Sequence, residues 1–571
     1  MTGRSLSVAA IGIFIGSSCF YVCVRRRKRS WSGRLAHSLH GDPSDIEEQV
    51  AELGMEQQSF FSLSGRGQLA ALPPVPPHWS AFIRCLQDPC EPSSNPEGHI
   101  ALCLAENKLC AEMLASRLVS SETAVTAFSD SIAYGYNGFL GLPAAREAVA
   151  YFLERRFFIA GQSEGGWSSP AVFASSASLN SDTSRNGSTR AIPPVRPQSP
   201  GPDPERIDPE HCAIGAGVGS LLSHIMFILL EPNDAVLIPA PYYASAEKHL
   251  HTIAQCVSYP VHMENPSNGP TSDELKKAAA RAEGEGLAVR ALLLTNPNDP
   301  LGVVYSPLVL KNAIGWARAR GMHTVVDEIY ALSVQRKDAG FESVVRVLNN
   351  DLGNDVHCLY GLSKDFGACG FRIGVLYTHN TLLLAALANL NVFSGVSHPM
   401  QLILADILTH DEFLDTFTAN MRAQLKWSYS LCCQKLEEMV VPFVPAEGGL
   451  SVYVNLSNLL PEPTFVGERK LARLIEDAAR VVLTPGEYMR DRRPGWFRLC
   501  FASVSPDVLE IATERLSYLV KKIRSRHFDD LDAKCLSDVP RAGMLMRVRR
   551  TPSVNLAGLA HKENNSSTRS Q

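Results

Sequence analysis

The segment Tyr360–Arg372 constrains this chain most, because the rest of the fold must be arranged around the lysine that it carries. Lys364 follows Ser363 and precedes a turn marked by glycines, and Arg372 closes the segment. A lysine ε-amine condenses with an aldehyde once burial or a neighbouring charge lowers its pKa. The planar fork of an arginine suits a phosphate group. The segment therefore predicts a reactive lysine beside an anion site; a surface lysine with an ion-pairing arginine is the open alternative.

Two upstream segments share a pattern, since each places polar residues directly after an apolar, strand-forming run. Asn296–Gly302 follows Ala291–Leu294, and Asp327–Tyr330 follows Thr324–Val326. Taken in this order with the lysine segment, they resemble the fold-type I pyridoxal-phosphate enzymes. The resemblance is strongest to the 1-aminocyclopropane-1-carboxylate synthase-like branch of the aminotransferases.

This resemblance runs from Ala101 to Val504 and implies an α/β fold of the fold-type I class. The expected fold has a large domain with a mostly parallel seven-stranded sheet, and a smaller α/β domain built from the N- and C-terminal flanks. It also implies pyridoxal 5′-phosphate as cofactor, an amino acid as small-molecule substrate, and a homodimer.

The reaction implied by the resemblance is removal of the α-proton of S-adenosylmethionine, followed by displacement of methylthioadenosine. Transamination of a small or aromatic amino acid is the second interpretation. A catalytically inactive, membrane-tethered scaffold is the third.

The resemblance assigns the reactive end and the ring of the cofactor to a small set of side chains. Lys364 binds the aldehyde and moves a proton at the substrate α-carbon. Asp327 faces the pyridine nitrogen and keeps it protonated, so that the ring withdraws electrons. Tyr330 donates a hydrogen bond to the phenolate oxygen of the ring, which Asp299 also contacts. Tyr243 stacks on the ring.

The small-residue run Cys212–Leu222 predicts an anion site. Small residues between a strand and a helix let backbone N–H groups approach a phosphate. A dinucleotide-binding fingerprint is excluded, because Ser220 stands where that fingerprint requires a glycine. By resemblance, the residues that hold the cofactor phosphate are Val218, Gly219, Ser220, Ser363 and Arg372.

Three departures from the family pattern affect the cofactor site. Asp299 stands where the family has asparagine. An ionised carboxylate there would face a partly negative ring oxygen, so either Asp299 is protonated or the pKa of the lysine–cofactor imine rises. Gly361 stands where a phosphate-binding serine is common, and Val218 and Gly219 replace hydroxyl residues. These departures predict weaker cofactor binding and motivate the inactive-scaffold interpretation.

Substrate and partner contacts are assigned by resemblance to three residues. Arg498, within Gly495–Ala502, forks onto the substrate α-carboxylate. Glu106, within Leu104–Asn107, lies at the substrate mouth and pairs with a sulfonium or ammonium cation; an acid at a helix N-terminus is the open alternative. Tyr136 reaches the cofactor phosphate of the partner subunit, so a homodimer is expected; a buried turn aromatic is the alternative.

The N-terminal run Leu6–Val24 is nearly free of charge. Its length suits a membrane-spanning helix, which takes ~20 apolar residues. The basic cluster Arg25–Arg29 follows the run, whereas Arg4 alone precedes it. Because basic residues stay on the cytoplasmic side, the run predicts a single-pass membrane anchor with the catalytic part in the cytoplasm. A cleaved signal peptide and an organelle leader are the alternatives.

Length and composition bound the remaining possibilities. With 571 residues, 45% of them hydrophobic and 20% charged, the chain exceeds one compact domain. A net charge of −4 gives no nucleic-acid signal, and the 14 cysteines lack disulfide-framework and metal-ligand spacings. The predicted parts are an anchor with its basic flank (1–29), a linker (30–77), the first part of the small domain (78–134), the large cofactor domain (135–400) with a disordered insertion (162–209), the rest of the small domain (401–525) and a disordered tail (526–571).

Overall fold

The computed structural model of the protein describes residues 78–120, 122–158, 206–336 and 339–525. The predicted membrane anchor, linker and tail, and most of the predicted insertion, lie outside these residues. Among the described residues no single helix has both the length and the apolar character of a membrane span. The bent pair Thr381–Ser394 and His398–Thr409, with 119° between its members, meets the length and composition criteria only jointly.

A seven-stranded sheet forms the centre of the molecule. Its strand order is β2-β8-β7-β6-β5-β3-β4, and β8 alone runs antiparallel to its neighbours. The predicted mostly parallel seven-stranded sheet is therefore confirmed. The strands are β2 (Cys212–Gly215), β3 (Ala235–Ala240), β4 (Val257–His262), β5 (Val289–Thr295), β6 (His323–Asp327), β7 (Val356–Gly361) and β8 (Gly374–Thr378).

The central strands are buried almost throughout. Every residue of β3, β7 and β8 is buried, as expected for a parallel sheet covered by helices on both faces. The helices between residues 143 and 409 are α4 (Pro143–Leu153), α5 (Val218–Leu229), α6 (Ala246–His251), α7 (Ser272–Gly284), α8 (Pro307–Ala319), α9 (Val344–Val347), α10 (Leu362–Asp365), α11 (Thr381–Ser394) and α12 (His398–Thr409).

Two smaller sheets come from the flanks of the chain. The antiparallel sheet has the order β12-β13-β10-β9, and the parallel pair β1–β11 joins residues 100–101 to residues 481–482. The N- and C-terminal flanks thus meet in one region, although the boundaries at 135 and 400 stay predictions. These strands are β1 (Ile100–Ala101), β9 (Phe443–Val444), β10 (Ser451–Asn455), β11 (Val481–Val482), β12 (Thr484–Pro485) and β13 (Trp496–Cys500).

The helices of the flanks follow local sequence signals. The apolar periodicity predicts helices at 400–409, 412–439 and 508–523, and the structure has them at His398–Thr409, Asp411–Glu438 and Pro506–Ser525. These three predictions are confirmed within a few residues. The flank helices are α1 (His78–Gln87), α2 (Ala111–Ser120), α3 (Thr123–Ser129), α13 (Asp411–Glu438), α14 (Phe465–Leu474) and α15 (Pro506–Ser525).

Two sequence expectations need correction. Ile207 falls inside the predicted disordered insertion, yet it is buried in the core, so ordered packing resumes before residue 209. The apolar run within His99–Asn107 predicts a strand, but the strand is limited to Ile100–Ala101, because the backbone beyond it turns over the lysine segment and leaves the sheet.

The sheet register brings the polar segments of the sequence to one edge. Thr295 at the end of β5 pairs with Asp327 at the end of β6, and Asp327 pairs with Leu359 of β7. Because parallel strands present their carboxyl ends at the same edge, the segments that follow β5, β6 and β7 converge there. This edge is the candidate active site.

Candidate active site

Lys364 lies in α10, the single turn of helix that follows β7. Its Nζ atom donates a hydrogen bond to the carbonyl of Ala105 at 2.6 Å and lies 6.0 Å from the centre of the Tyr243 ring. The side chain is half-buried. The structure therefore directs the lysine amine toward an aromatic face, with the N-terminal flank of the chain above it.

The turn that carries this lysine is fixed by the next residue, Asp365, which was not among the predicted site residues. Its buried carboxylate accepts hydrogen bonds from the backbone N–H of Leu332 at 2.9 Å, from Tyr360 Oη at 3.1 Å and from Ser333 Oγ. Burial raises its pKa to about 6, and these donors limit the rise. The adjacency of an acid to the lysine was the only sequence signal for this role.

The segment Cys103–Asn107 covers the lysine turn. The Asn107 side chain donates to the carbonyl of Asp365 at 3.4 Å. A Cβ on Gly367, whose φ is +64°, would lie 2.1 Å from the carbonyl oxygen of Asn107. Glycine is therefore required at 367 both by the backbone conformation and by this close approach.

Asp327 ends β6 with its carboxylate beside the lysine. One oxygen accepts a hydrogen bond from the backbone N–H of Ile329 at 3.2 Å. Burial raises the pKa of Asp327 to about 7, and the positive charge of Lys364 acts in the opposite direction. A carboxylate with a raised pKa is stabilised in its charged form by a neighbouring cation, and a protonated ring nitrogen is such a partner.

Asp299, Tyr330 and Arg498 form a buried hydrogen-bonded group. Arg498 Nη1 lies 2.9 Å from Asp299 Oδ1 and 3.0 Å from Oδ2, and Tyr330 donates to Oδ2 at 2.9 Å. Burial alone would lower the pKa of Arg498, but Asp299 more than offsets this and raises it. Burial, and then the charge of Asp299, raises the pKa of Tyr330. Asp299 is thus held by an arginine. The sequence alone indicated only a protonated Asp299 or a raised pKa of the lysine–cofactor imine, and it did not indicate this ion pair.

The other Nη atom of Arg498 is also engaged. Nη2 donates to the carbonyl of Cys103 at 2.7 Å and lies 3.5 Å from Thr484 Oγ1. The guanidinium carbon lies 6.0 Å from the centre of the Tyr243 ring, the same distance as the lysine amine. Lys364 and Arg498 therefore converge on one aromatic ring.

The buried thiol of Cys500 shows that the charged groups share one region. Its pKa is raised to about 11 by burial, and it is influenced by Arg498, Asp299, Lys364 and Glu106. Glu106 is half-buried, accepts from Cys369 Sγ at 3.5 Å and lies 3.5 Å from Lys108 Nζ. Its role as a substrate residue stays a prediction.

The predicted phosphate loop lies at the N-terminus of α5. Gly217 has a φ of +86°, and a Cβ there would lie 2.6 Å from Arg372 Nη2. Arg372 is exposed and donates to the carbonyls of Ala216 and Cys369 at 3.3 and 3.1 Å. The backbone of the loop and the arginine fork therefore meet at one point, where the helix adds partial positive charge. Ser363, one residue into the adjacent turn, is buried.

His249 is a neighbour of this loop that the sequence analysis missed. A Cβ on Gly219 would lie 2.5 Å from its Cε1 atom. Burial, and then the positive charges of Lys248 and Arg372, lowers the pKa of His249 to about 4, so the imidazole is neutral at physiological pH. No sequence pattern around residue 249 marks it.

Tyr136 is the predicted residue that the chain does not bring to the site. It is 98% exposed and precedes α4 on the surface. Its predicted role requires a second subunit, and that role stays a prediction.

The donor set fits pyridoxal 5′-phosphate. An amine, a carboxylate with a raised pKa and an aromatic face surround the end of the sheet. The helix N-terminus beside them provides an anion site, where a side chain on Gly217 would fill the space next to Arg372. The site therefore contains an amine for the cofactor aldehyde, a carboxylate for the ring nitrogen and an anion site for the phosphate. The roles of the individual residues stay predictions.

Comparison with known proteins agrees with this fit. The model of the family described as aminotransferase class I and II matches residues 205–516. The chain is 28% identical over 456 residues to 1-aminocyclopropane-1-carboxylate synthase-like protein 1 of Arabidopsis thaliana, covering 77% of this chain and 82% of that protein. It is 29% identical over 463 residues to 1-aminocyclopropane-1-carboxylate synthase 2 of Solanum lycopersicum, covering 77% and 83%.

Solved structures show the same fold. An aspartate aminotransferase double mutant of Thermus thermophilus superposes with a TM-score of 0.60 at 21% identity, covering 80% of this chain and 99% of that one. The aspartate aminotransferase of Rhizobium meliloti gives a TM-score of 0.62 at 17% identity, covering 81% and 99%.

Proposed function

The chain belongs to the aminotransferase class I and II family and is a pyridoxal-phosphate-dependent enzyme, and we propose that Lys364 is the base that removes a proton from the amine-bearing carbon of its substrate. One observation carries this proposal. Lys364 Nζ and the Arg498 guanidinium both lie 6.0 Å from the centre of the Tyr243 ring, at the edge of the sheet where Asp327 ends β6.

Bound pyridoxal phosphate supplies an electron-withdrawing ring that stabilises negative charge on the carbon bearing the substrate amine. Tyr243 would hold the face of that ring, and Asp327 would pair with its nitrogen. The Val218–Ser220 amides, Ser363 and Arg372 would hold the phosphate.

Lys364 has two roles in this arrangement. Its amine would hold the cofactor aldehyde in the resting enzyme, and as a free amine beside the substrate it would take the α-proton. The carbonyl of Ala105, 2.6 Å from Nζ, orients the amine. The segment Cys103–Asn107 lies directly on the turn and covers one side of the lysine.

Within this chemistry, the synthase-type reaction on S-adenosylmethionine is the first candidate. It is supported by the named relatives and by Glu106, a half-buried carboxylate that lies 3.5 Å from Lys108 Nζ and would pair with a sulfonium cation in its place. Transamination is the second candidate, supported by the aminotransferase fold of the solved structures. Both reactions need the same first proton transfer.

An absorbance titration tests the proposal. Purified chain with excess pyridoxal phosphate should show the near-visible band of a lysine-bound cofactor, and Lys364→Ala should lose that band. Product analysis with S-adenosylmethionine, against alanine with 2-oxoglutarate, then separates synthase from aminotransferase. Absence of the band in the unmodified chain would contradict the proposal and favour the inactive scaffold.

A homodimer is part of the proposal. Two large side chains are exposed in the region where the partner subunit is expected. Tyr136 is 98% exposed, and Phe393, at the end of α11, is 88% exposed. Asn391 Nδ2 donates to the carbonyl of Phe139 at 2.9 Å and so joins the two segments. A second copy covering this surface would bury apolar area. It would also bring Tyr136 to the phosphate site of the partner subunit.

The proposed location is a membrane, with a single-pass anchor at 6–24 and the catalytic part in the cytoplasm. It is supported by the apolar run and by the basic cluster that follows it. Extraction of expressing cells with alkaline carbonate is the test: the full chain should stay with the membranes, and release of the full chain would contradict an anchor.

A further inference from the structure

The donors of Arg498 are engaged by the protein itself. A guanidinium has five N–H groups: two on each Nη atom and one on Nε. Nη1 lies within hydrogen-bond distance of both oxygens of Asp299, and Nη2 contacts the Cys103 carbonyl and Thr484 Oγ1. Nε is buried and has no hydrogen-bond partner among the described residues. A paired grip on a carboxylate uses neighbouring N–H groups on two nitrogens, and both Nη atoms already face protein acceptors.

The pairing also removes the net charge that would attract a carboxylate. Asp299 and Arg498 are each buried, and the arginine can only donate, so the oxygens facing it act as acceptors. The hydroxyl of Tyr330 is placed to donate to the same carboxylate. A substrate carboxylate at Arg498 would therefore face Asp299 as a second negative charge in a dry environment, where like charges repel strongly.

Displacement of Asp299 is opposed by its surroundings. Asp299 is only 4% exposed, so water cannot hydrate its carboxylate after it leaves Arg498. The buried carboxylate would then keep only the hydrogen bond from the Tyr330 hydroxyl. Uncompensated buried charge is strongly destabilising. An asparagine at 299 would lack this charge, so the arginine would keep an unneutralised positive charge for a substrate.

Resting on the proposed function, we infer that Asp299 is a specificity-determining residue that occupies the carboxylate grip of Arg498, so that this site binds primary amines without an α-carboxylate as tightly as the matching amino acids. The substrate is then held by its amine, at the cofactor, and by its side chain. Primary amines without an α-carboxylate include amino-acid amides and amino alcohols. Their neutral α-substituent fits beside the Asp299–Arg498 pair, whose charges neutralise each other.

Calorimetric titration of the cofactor-loaded chain with L-alanine and L-alaninamide tests this inference. The two probes differ only in the α-substituent, a carboxylate against a neutral carboxamide, and their concentrations are corrected to the free amine. The side chain is a methyl group, so the pair is insensitive to the shape of the side-chain pocket. Three proteins are compared: the unmodified chain, Asp299→Asn, and the control Asp355→Asn, which removes a carboxylate paired with Arg318 at the far end of the sheet.

The expected result is a dissociation constant for alanine within about threefold of that for alaninamide in the unmodified chain and in the control, since a neutralised arginine gives little charge preference. Asp299→Asn should bind alanine at least about tenfold more tightly than alaninamide, because a charge-assisted bidentate contact becomes available. A tenfold preference for alanine in the unmodified chain, an unchanged ratio in Asp299→Asn, or binding of neither probe to any protein would overturn the inference. Loading is checked beforehand by absorbance: a chain that does not take up cofactor refutes the proposed function itself, whereas a loaded chain with the wrong ratio refutes only the inference.

Discussion

The side chain of Val218 occupies the space that a Cβ on Gly361 would need. The position of such a Cβ is 2.8 Å from Val218 Cγ2 and 3.0 Å from the carbonyl oxygen of Ile373. Two departures from the family pattern are therefore linked in space: the missing serine at 361 and the apolar residue at 218. A β-branched side chain in the first turn of α5 cannot easily move away.

Gly361→Ser is expected to destabilise the protein by about 1–3 kcal/mol, the usual cost of overpacking a filled site. Val218→Ala in the same chain should recover part of this loss, because it removes the nearer of the two contacts. Thermal unfolding checks both variants. The double variant should melt at a higher temperature than Gly361→Ser. If its shift in melting temperature equals the sum of the shifts of the two single variants, the residues do not compete for space.

Replacement of the carboxylate under the lysine turn gives a second prediction. Asp365→Asn puts an amide NH₂ group among the Leu332 N–H, the Ser333 hydroxyl and the Tyr360 hydroxyl, which now donate to the carboxylate. The NH₂ group cannot accept, so at least one of these donors loses its acceptor, at a cost of about 1–3 kcal/mol. A lower melting temperature and weaker cofactor binding are expected. Tyr360→Phe, which removes one donor and keeps the acid, should bind cofactor more tightly than Asp365→Asn; the reverse order would contradict this role.

Local patterns account for much of the fold. The helices at 398–409, 411–438 and 506–525 and the polar residues that follow β5 and β6 can be predicted, because apolar periodicity and strand ends are local properties. The family resemblance provided the rest of the sheet. What local pattern shows is which residues reach the sheet edge.

Contacts between distant parts of the chain could not be predicted in this way. Asp299 and Arg498 are 199 residues apart, and the sequence alone offered only a protonated Asp299 or a raised pKa of the lysine–cofactor imine. The fit of Val218 against Gly361 and the approach of His249 to Gly219 depend on packing at the scale of one methyl group. Such contacts are set by tertiary geometry, for which a single sequence carries no periodic signal.

The raised pKa of Asp327 predicts a pH-dependent stability in the cofactor-free protein. Burial raises the pKa from its usual 3.8 to about 7. Between these values the folded chain keeps a proton that the unfolded chain has lost, so stability falls as pH rises from about 4 to about 7 and is level above that. Asp327→Asn cannot titrate and should escape this loss.

Melting temperatures of the cofactor-free proteins at pH 4, 6 and 8 check this. The free energy of unfolding derived from them should be higher for Asp327→Asn than for the unmodified chain. This difference should be smallest at pH 4 and greatest at pH 8, where it is on the order of 2 kcal/mol. Asp355→Asn, which removes a partly exposed carboxylate paired with Arg318, should show no such trend. An advantage that is independent of pH would show that the pKa of Asp327 is not raised in the folded chain. With cofactor present, the order should reverse, since Asp327→Asn loses the partner of the ring nitrogen.

The exposed apolar surface at Tyr136 and Phe393 predicts self-association. Phe393→Glu puts a charge into the proposed interface and should convert the dimer to a monomer, with 62.3 kDa of protein per particle, in sedimentation analysis of the detergent-solubilised full-length chain. Leu382→Glu is the matched control, because Leu382 is also exposed, at 81%, but lies at the opposite end of α11. Equal dissociation by both variants, or a monomeric unmodified chain, would contradict this interface.

Glu106 offers the sharpest test of the synthase-type candidate. Its half-buried carboxylate lies 3.5 Å from Lys108 Nζ and shares the surroundings of Cys500 with Lys364. A carboxylate at the substrate mouth attracts a sulfonium cation but gives no advantage to a neutral side chain. Glu106→Gln should therefore weaken binding of S-adenosylmethionine about tenfold while leaving alanine within about twofold, as expected for loss of one partly shielded charge pair.

The measurement is a titration of the cofactor band with each compound. Glu112→Gln, at an exposed acid in the first turn of α2, controls for the loss of one negative charge and should leave both affinities unchanged. Equal weakening of both compounds by Glu106→Gln would assign the residue a structural role at the lysine turn. Unchanged binding of S-adenosylmethionine would remove the electrostatic support for a sulfonium substrate and leave transamination as the better candidate.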